Sequence, residues 1–416
     1  MSNYSTLGSN LKRGIFKFCE KISEGFFKTE KKFITCMVFG ILAAQSCYLT
    51  QIARKLKESI ALDKTVERLS RNLMNFDGAD QLWENYFEAV KSNFDENTVL
   101  IVDDSDIAKS CSSKLEGLCK VRDGSTGEIT DGYWYAGVSA LSAQHKQPIP
   151  VYSRVYSSTE EDYASNNAET LKSLAFLSSH FPKTTIRALD CGYDAGYIFG
   201  YFIPRDEAFI VRMDGERNVL HKGEKVLLRK LAQRFKGKYR LDFMAKDGVR
   251  KECKISIVPV SLPDYPDAPL KLVVCNGLGK EPLMLLTSLD SQDKRLCVTI
   301  TKVYLMRWRI EEYYKFKKQS FGFEKFLVRT LKSIRNLDAL LSISIGYIGL
   351  LSEKIDESIE VREVVNASKR LYGLAKFTFY AIADGLFEFF SKLYTGVSAF
   401  FAKHTSAHQL CLAGWD

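Results

Sequence analysis

Four side chains of complementary chemistry are regularly spaced in the last third of the chain: Tyr304, Arg307, Glu311 and Lys318. On an α-helix the spacing Tyr-x2-Arg-x3-Glu-x6-Lys places them within an arc of roughly 60° on one face. The carboxylate can hold a metal ion, while the two cations and the phenol hydroxyl can grip a phosphate. The alternative is a solvated helix face held by local ion pairs, but the apolar residues between them predict a partly buried helix.

Two predicted strands that end in acidic residues precede this helix, and the first of them is a continuous apolar run. Val99–Val102 is followed by Asp103-Asp104-Ser105-Asp106, and Thr185–Leu189 is followed by Asp190. A short, continuous β-branched run is typical of a strand buried at the centre of a sheet. The sequence therefore predicts two central strands with carboxylates at their C-terminal ends.

The elements around these strands predict an α/β fold with a mixed sheet. Further strands are expected at Tyr133–Leu141, Val151–Tyr156 and Phe209–Met213, and a helix at Asn166–His180. Residues 214–300 alternate as antiparallel strands do and are separated by glycine and proline turns, which predicts a β-rich insertion. The chain before residue 96 and after residue 300 has helical periodicity.

A pair of short helices around a turn is expected at Tyr48–Leu73. Five cations lie on it: Arg54, Lys55, Lys57, Arg68 and Arg71. This pattern suits a helix-turn-helix that reads the major groove of DNA. The alternative is an ordinary helical hairpin with solvated basic faces.

The helix and the two preceding aspartates together resemble the DDE transposases of bacterial insertion sequences, in particular the group of insertion sequence four. Arg307-Trp-Arg-Ile-Glu-Glu312 is similar to the family's helix, Asp104-Ser105 to its first aspartate with a following hydroxyl residue, and Ala188-Leu-Asp190 to its second. The resemblance covers about residues 97–322. It implies that Asp104, Asp190 and Glu311 are the catalytic and metal-binding acids. It also implies that Tyr304, Arg307 and Lys318 hold the phosphate at the 5′ end of the transposon strand.

The same resemblance implies an RNase H-like core, two Mg²⁺ or Mn²⁺ ions, cut-and-paste strand transfer and a homodimer that brings two transposon ends together. Two metal ions about 3.5 to 4 Å apart activate the attacking oxygen and stabilise the leaving one, and hard oxygen ligands select Mg²⁺ or Mn²⁺ over Zn²⁺. The expected organisation follows the chain: residues 1–95 form a helical DNA-binding region, 96–213 the first part of the catalytic core, 214–300 the β-rich insertion, 301–355 the second part of the core with the signature helix, and 356–416 a helical C-terminal region that is a candidate for dimerisation.

Asp103 and Asp104 compete for the position of the first acid. Successive side chains of a strand point to opposite faces, so one of the two can join Asp190 and Glu311. The family pattern of aspartate followed by a hydroxyl residue favours Asp104 and leaves Asp103 as a supporting or capping acid. A β-bulge at the end of the strand would reverse the geometry.

One departure from the family concerns the cleavage route. Relatives that cut through a hairpin intermediate can stack a flipped base on a tryptophan in the insertion, and residues 214–300 contain no tryptophan. Tyr239, Phe243 or Tyr265 could take this role, because any aromatic face stacks on a base. Alternatively, all three are ordinary packing residues.

Positive charge is concentrated in residues 205–335, which have a net charge of +13 in a chain of net charge +9. A basic band on an otherwise near-neutral chain favours a polyanionic partner. Under the resemblance the partners are transposon-end DNA and target DNA. The alternative is a solvated, lysine-rich surface.

Composition and apolar patterning indicate a globular protein outside the membrane. With 46% hydrophobic and 26% charged residues, wholesale disorder and a coiled-coil rod are excluded. The longest apolar runs, Met37–Leu49 and Leu337–Leu351, are interrupted and too short to span a bilayer, so both are expected to be core helices. No secretory signal or CxxC pair is found, so reduced cysteines and a cytoplasmic, nucleoid-associated location in bacteria are expected, without a membrane partner.

Three functions are compatible with these patterns. The first is a DNA transposase that cleaves transposon ends and transfers strands into target DNA. The second is a metal-dependent nuclease of the same fold without strand transfer. The third is a catalytically inactive DNA-binding derivative of a transposase. The acids favour the first two, and the phosphate-gripping residues favour the first.

Overall fold

The structure is a computed structural model that describes residues 2–112, 114–124, 126–244, 249–289, 294–370, 377–393, 396–397 and 401. Five helices precede the first strand: α1 (Ser2–Ile22), α2 (Lys28–Ala44), α3 (Leu49–Leu56), α4 (Leu62–Asn75) and α5 (Ala79–Val90). The predicted helical character of this region is confirmed.

Strands and helices alternate in the middle of the chain. The first part comprises β1 (Val99–Ala108), β2 (Cys119–Arg122), β3 (Ile129–Leu141), β4 (Pro148–Tyr156), α6 (Asn166–His180), β5 (Ile186–Leu189), α7 (Gly196–Phe202) and β6 (Phe209–Met213). The β-rich part that follows comprises β7 (Asn218–His221), β8 (Glu224–Leu227), α8 (Leu228–Gln233), β9 (Tyr239–Met244), β10 (Arg250–Leu262), β11 (Tyr265–Asn276) and β12 (Leu283–Thr287).

Helices form the remainder of the described chain: α9 (Lys294–Leu305), α10 (Trp308–Lys315), α11 (Leu331–Glu353), α12 (Ile359–Ala367) and α13 (Phe379–Lys392). Part of the predicted C-terminal helical region, including 402–416, lies outside the described residues.

The strands form one mixed sheet in the order β2-β3-β1-β5-β6-β12-β11-β10-β7-β8, with β4 beside β3 and β9 beside β10. β5 runs parallel to β1, and β6 parallel to β5, whereas β1, β3 and β4 pair antiparallel. The β-rich part joins this sheet through β12, which pairs antiparallel with β6. The predicted fold class, an α/β chain with a mixed sheet, a β-rich insertion and helices at both ends, is confirmed.

Two hydrophobic cores lie on opposite faces of the central strands. Ile101 and Ala188 face the core that contains residues of α9, α10 and α11. Val102 and Leu189 face the other core, which contains residues of α6 and α7. Strand alternation therefore decides which helices each side chain of β1 and β5 meets.

The two long apolar runs lie in buried helices, as expected. α11 is long and apolar enough to span a membrane, but 89% of its most apolar window is buried inside the fold. α2 and α3 are long and apolar enough to span a membrane only if they are taken together, and a bend of 99° separates them. The apolar surface of these helices is therefore used in packing within the described chain.

A buried polar network fixes the segment after α10 to the sheet and to α11. The Lys317 ammonium, on the π-helical turn Phe316–Ser320, is ion-paired with Asp338. It also donates hydrogen bonds of 2.9 Å to the Tyr135 hydroxyl and 2.7 Å to the Ser342 hydroxyl. Both charges are almost fully buried, so each needs the other.

We predict that Asp338→Asn lowers the free energy of unfolding by about 3 to 5 kcal/mol, because it leaves the Lys317 cation buried without its counter-charge. Urea titration followed by circular dichroism measures the change. The control is Asp77→Asn, which breaks the exposed pair with Lys332 and should cost at most about 1 kcal/mol. Equal losses in the two variants would contradict this role of the network.

Candidate active site

The register of β1 and β5 brings two acids side by side. The last residues paired between these parallel strands are Val102 and Leu189, so Asp103 and Asp190 occupy the next position on each strand. Both continue the face of Ile101 and Ala188, toward the core that contains α10. The carboxylates therefore lie at the edge of the sheet that α10 covers.

The sequence predicted that Tyr304, Arg307, Glu311 and Lys318 lie on one continuous helix. In the structure this helix is interrupted at Arg307. α9 ends at Leu305 and α10 begins at Trp308, with Arg307 in the tight turn between them. The Arg307 amide bonds to the Tyr304 carbonyl at 2.9 Å, and the Ile310 amide to the Arg307 carbonyl at 3.1 Å. This turn directs the Arg307 guanidinium at the acids of the sheet.

Three carboxylates from separate parts of the chain contact that guanidinium. Arg307 Nη1 lies 3.4 Å from Asp103 Oδ2, and Nη2 lies 3.4 Å from Asp190 Oδ2. Nη2 also forms an ion pair with Glu311, one turn further along. The structure thus brings Asp190, Glu311 and Arg307 together as predicted, with Asp103 as the third acid. We call Asp103, Asp190, Glu311 and Arg307 the acidic cluster.

Asp190 has the largest set of polar partners in the cluster. Its Oδ1 accepts hydrogen bonds from the Tyr304 hydroxyl at 2.9 Å and from the Cys191 amide at 2.7 Å. Arg212 Nη1 lies 3.6 Å from the same oxygen. Tyr304 thus lies beside the second acid, and its predicted contact with a phosphate stays a prediction.

Arg212 is a member of the site that the sequence patterns did not reveal. Leu189 pairs with Val211 on β6, so Arg212 is in register with Asp190. Its side chain is 46% exposed, and it can therefore meet a ligand from solvent. The available signal was a single cation in the otherwise apolar strand Phe209–Met213, and strand alternation alone could not say where it pointed.

α10 is tied directly to the strand that carries the first acid. The Tyr314 hydroxyl donates a hydrogen bond of 2.6 Å to the backbone carbonyl of Asp103. Gly137 is the β3 partner of Asp103, and a Cβ atom there would lie 2.5 Å from the Tyr314 hydroxyl. A glycine is therefore needed at this position for the tyrosine to reach β1.

Burial and charge act differently on the two aspartates. Burial raises the pKa of Asp103 to about 7, Arg307 opposes this rise, and the neighbouring acids add to it. Burial would also raise the pKa of Asp190, but Arg307, the Cys191 amide, Tyr304 and Arg212 outweigh it and leave the pKa below its usual range. Despite burial, the surrounding acids raise the pKa of Arg307. Asp190 is therefore held as a carboxylate.

Asp104, the predicted first acid, points to the opposite face of the sheet. Its Oδ2 accepts a hydrogen bond of 3.2 Å from Thr170 on α6, and burial raises its pKa to about 6. The pairing of β1 with β3 runs without a bulge from Leu100 to Ala108, so strand alternation holds across both acids. The structure therefore places Asp103, and not Asp104, beside Asp190 and Glu311. Which of the two acts as the first acid stays a prediction.

Lys318 does not join the acidic cluster. It follows α10 on the π-helical turn, whose wider winding rotates it from the face expected for an α-helix. Its ammonium lies 2.9 Å from Glu324. The structure therefore does not place Lys318 beside the acids, and its contact with a phosphate stays a prediction.

The basic helical pair in the N-terminal region forms as α3 and α4, but much of its charge is engaged within the chain. Lys55 bonds to Ser391 at 2.7 Å, and Lys57 contacts the carbonyl of Leu393. Arg68 is ion-paired with Glu58. These contacts suit the alternative of a packed helical hairpin, and DNA reading by this pair remains a prediction.

Two of the three aromatic candidates for base stacking face the same core as the acidic cluster. Tyr239 and Phe243 are half-buried against that core, while Tyr265 packs on the other. All three make packing contacts, as the simpler alternative expects. Their role in stacking remains a prediction.

The donor set of the cluster fits a hard divalent cation in its chemistry, because all three acids offer carboxylate oxygens. Within the described ranges, no group of three or more His, Cys, Asp or Glu side chains is arranged to hold a metal ion as it stands. The shared contact of these oxygens is a guanidinium cation. A metal ion held by the same acids would compete with Arg307 for them.

No protein-family model and no curated protein sequence matches the chain. Among solved structures, it is similar to a cryo-EM structure of the piggyBac transposase synaptic complex with hairpin DNA, at 10% sequence identity and a TM-score of 0.42. The alignment covers 95% of this chain and 84% of the transposase chain.

We predict that Asp103→Asn makes folding stability less dependent on pH. Because an unfolded aspartate titrates near about 3.9, the folded chain keeps a proton between about pH 4 and 7 that the unfolded chain has released. Stability of the wild type therefore falls as pH rises through this interval. Urea midpoints at pH 5 and 8 should differ less in Asp103→Asn, whereas the exposed control Asp267→Asn should keep the wild-type difference. Identical differences in all three proteins would contradict the raised pKa.

Proposed function

We propose that this protein is a DNA transposase that uses Asp103, Asp190 and Glu311 for metal-dependent cleavage of transposon ends and for strand transfer. The observation that carries the proposal is the convergence of these three carboxylates, from β1, β5 and α10, on one cationic group. The mixed sheet supports the RNase H-like core that the family resemblance implies. The proposed partners are transposon-end DNA and target DNA, with two copies of the chain in the synaptic assembly.

The three acids would hold Mg²⁺ or Mn²⁺, which supplies activation of the attacking oxygen and stabilisation of the leaving oxygen. Asp190 contributes a carboxylate that Arg307, Tyr304 and the Cys191 amide keep ionised. Tyr314 holds α10, and with it Glu311, against β1. The backbone thus fixes two acids through β1 and β5, while the helix positions the third.

Arg307 and Arg212 are suited to the phosphate of the substrate. A guanidinium binds phosphate oxygens through two parallel hydrogen bonds. When a DNA phosphate enters, it offers Arg307 an alternative partner to the acids, and this would release their oxygens for the metal. Tyr304 adds a hydroxyl donor beside the same acid.

The second candidate, a nuclease without strand transfer, is favoured by one observation. Lys318 is paired with Glu324 and does not reach the cluster, so one group expected to hold the transposon end is absent from the site. Joining of a pre-cut, 3′-hydroxyl DNA end to a plasmid separates the candidates, since a transposase gives joined product and a nuclease gives nicks alone.

We predict that Asp103→Asn, Asp190→Asn and Glu311→Gln each lower Mg²⁺-dependent nicking of supercoiled plasmid at least about 100-fold, because loss of an outer-shell partner alone costs 10- to 100-fold. The matched control is Asp104→Asn, the same substitution one residue away, with an expected loss below about tenfold. DNA binding in gel-shift assays should persist in all four variants, since it depends on cations. Loss of nicking in Asp104→Asn with retention in Asp103→Asn would overturn the assignment.

A further inference from the structure

An acid-free basic segment lies outside the acidic cluster. Residues 225–241 contain seven lysines and arginines and no aspartate or glutamate. In the structure this segment comprises the end of β8, the short helix α8, a loop and the start of β9. Charge of a single sign over one continuous surface creates a local field that attracts a polyanion.

The fold holds this segment in place through its apolar side and backbone. Leu228, Leu231 and Ala232 of α8 are buried in the core that β10 and β11 share with α6 and α7. After the helix, the Lys238 amide bonds to the Ile255 carbonyl at 2.8 Å, and the Asn276 side chain bonds to the Phe235 carbonyl at 3.0 Å. The fold therefore holds in place the segment that carries the cationic side chains.

Ion pairs neutralise only part of the positive charge of residues 225–241. Arg229 pairs with Glu216, and Arg240 with Glu252. Lys230, Arg234, Lys236 and Lys238 are exposed, and among the described residues none of them has an ion-pair partner. We call these four residues the α8 surface.

The α8 surface is separate from the acidic cluster but close to the same edge of the sheet. α8 packs on the core opposite the one that Asp103 and Asp190 face. Its first turn is tied to the loop after β6, through bonds from the Leu228 amide to the Arg217 carbonyl and from the Arg229 amide to the Gly215 carbonyl.

We propose that the α8 surface is a second DNA-contacting site, which binds the phosphodiester backbone of duplex DNA without reading its sequence. The proposal rests on the proposed function, because it assumes that DNA is the substrate at the acidic cluster. The surface thus adds affinity beyond the segment at the acids.

The test compares two quadruple variants of equal charge. Lys230, Arg234, Lys236 and Lys238 are replaced by alanine in one. The control replaces Lys114, Lys183, Lys354 and Arg362, which are also three lysines and one arginine, exposed and without an ion pair among described residues. Unlike the α8 surface, the control set is scattered along the chain, outside residues 1–95 and 205–335. Fluorescence anisotropy with a labelled 30-base-pair duplex measures affinity from 50 to 300 mM KCl.

Each lost phosphate contact makes the negative salt slope, d log K/d log [salt], less steep by about 0.9. We expect the magnitude of the slope to decrease by about 3.6 in the α8 variant, with affinity at least about tenfold weaker at 150 mM KCl, and by less than about 1 in the control. Equal slopes in both variants would overturn the proposal. If the α8 variant fails to fold by circular dichroism, the pair Lys230→Gln and Lys238→Gln replaces it, with an expected decrease of about 2.

The outcomes separate this inference from the proposed function. Wild-type protein that nicks plasmid in Mg²⁺, together with equal slopes, refutes the α8 surface and leaves the proposed function standing. Wild-type protein that binds DNA with the expected slope difference but does not nick it refutes the catalytic proposal and retains the surface.

Discussion

Three acids can share a small space only if a positive charge lies between them. In this fold the charge is the Arg307 guanidinium, which contacts Asp103, Asp190 and Glu311. Carboxylates that surround one cation repel one another, and burial disfavours their charged forms. The pKa values of two of these acids are shifted in opposite directions. Burial is the main cause that raises the pKa of Asp103, whereas Arg307 and further hydrogen-bond donors hold the pKa of Asp190 low. In the arrangement that the structure shows, Arg307 is the cation that all three acids share.

The surrounding architecture holds the three acids within reach of that cation. Parallel pairing of β1 and β5 fixes two of them, and the Tyr314 bond to the Asp103 carbonyl places α10 against β1. Beyond α10, the buried Lys317–Asp338 pair anchors the chain to α11. On the other side of α10, Tyr380 of α13 donates a hydrogen bond of 2.8 Å to Glu312. The described parts of α11 and α13 thus support the position of α10 beside the acidic cluster.

The sequence predicted the strands and helices far better than the orientations of their side chains. The apolar run before Asp103 and the short segment before Asp190 were correctly predicted as strands, because local composition carries that information. The choice between Asp103 and Asp104 depended on the register Val102–Leu189, a long-range pairing that no local pattern contains. The break at Arg307 was missed for the same reason: no glycine or proline marks it, and the carboxylates that Arg307 contacts come from distant strands. Arg212 required knowledge of the β5–β6 pairing.

The central claim is that Asp103, Asp190 and Glu311 bind a divalent cation in place of Arg307. Anomalous scattering from crystals grown with MnCl₂ and a DNA duplex tests it most directly. The account predicts an anomalous peak within coordination distance of Asp103 and Asp190, with Arg307 withdrawn from both acids. A peak at Asp104, or an acidic cluster that retains Arg307 and shows no peak while DNA is bound, would contradict it.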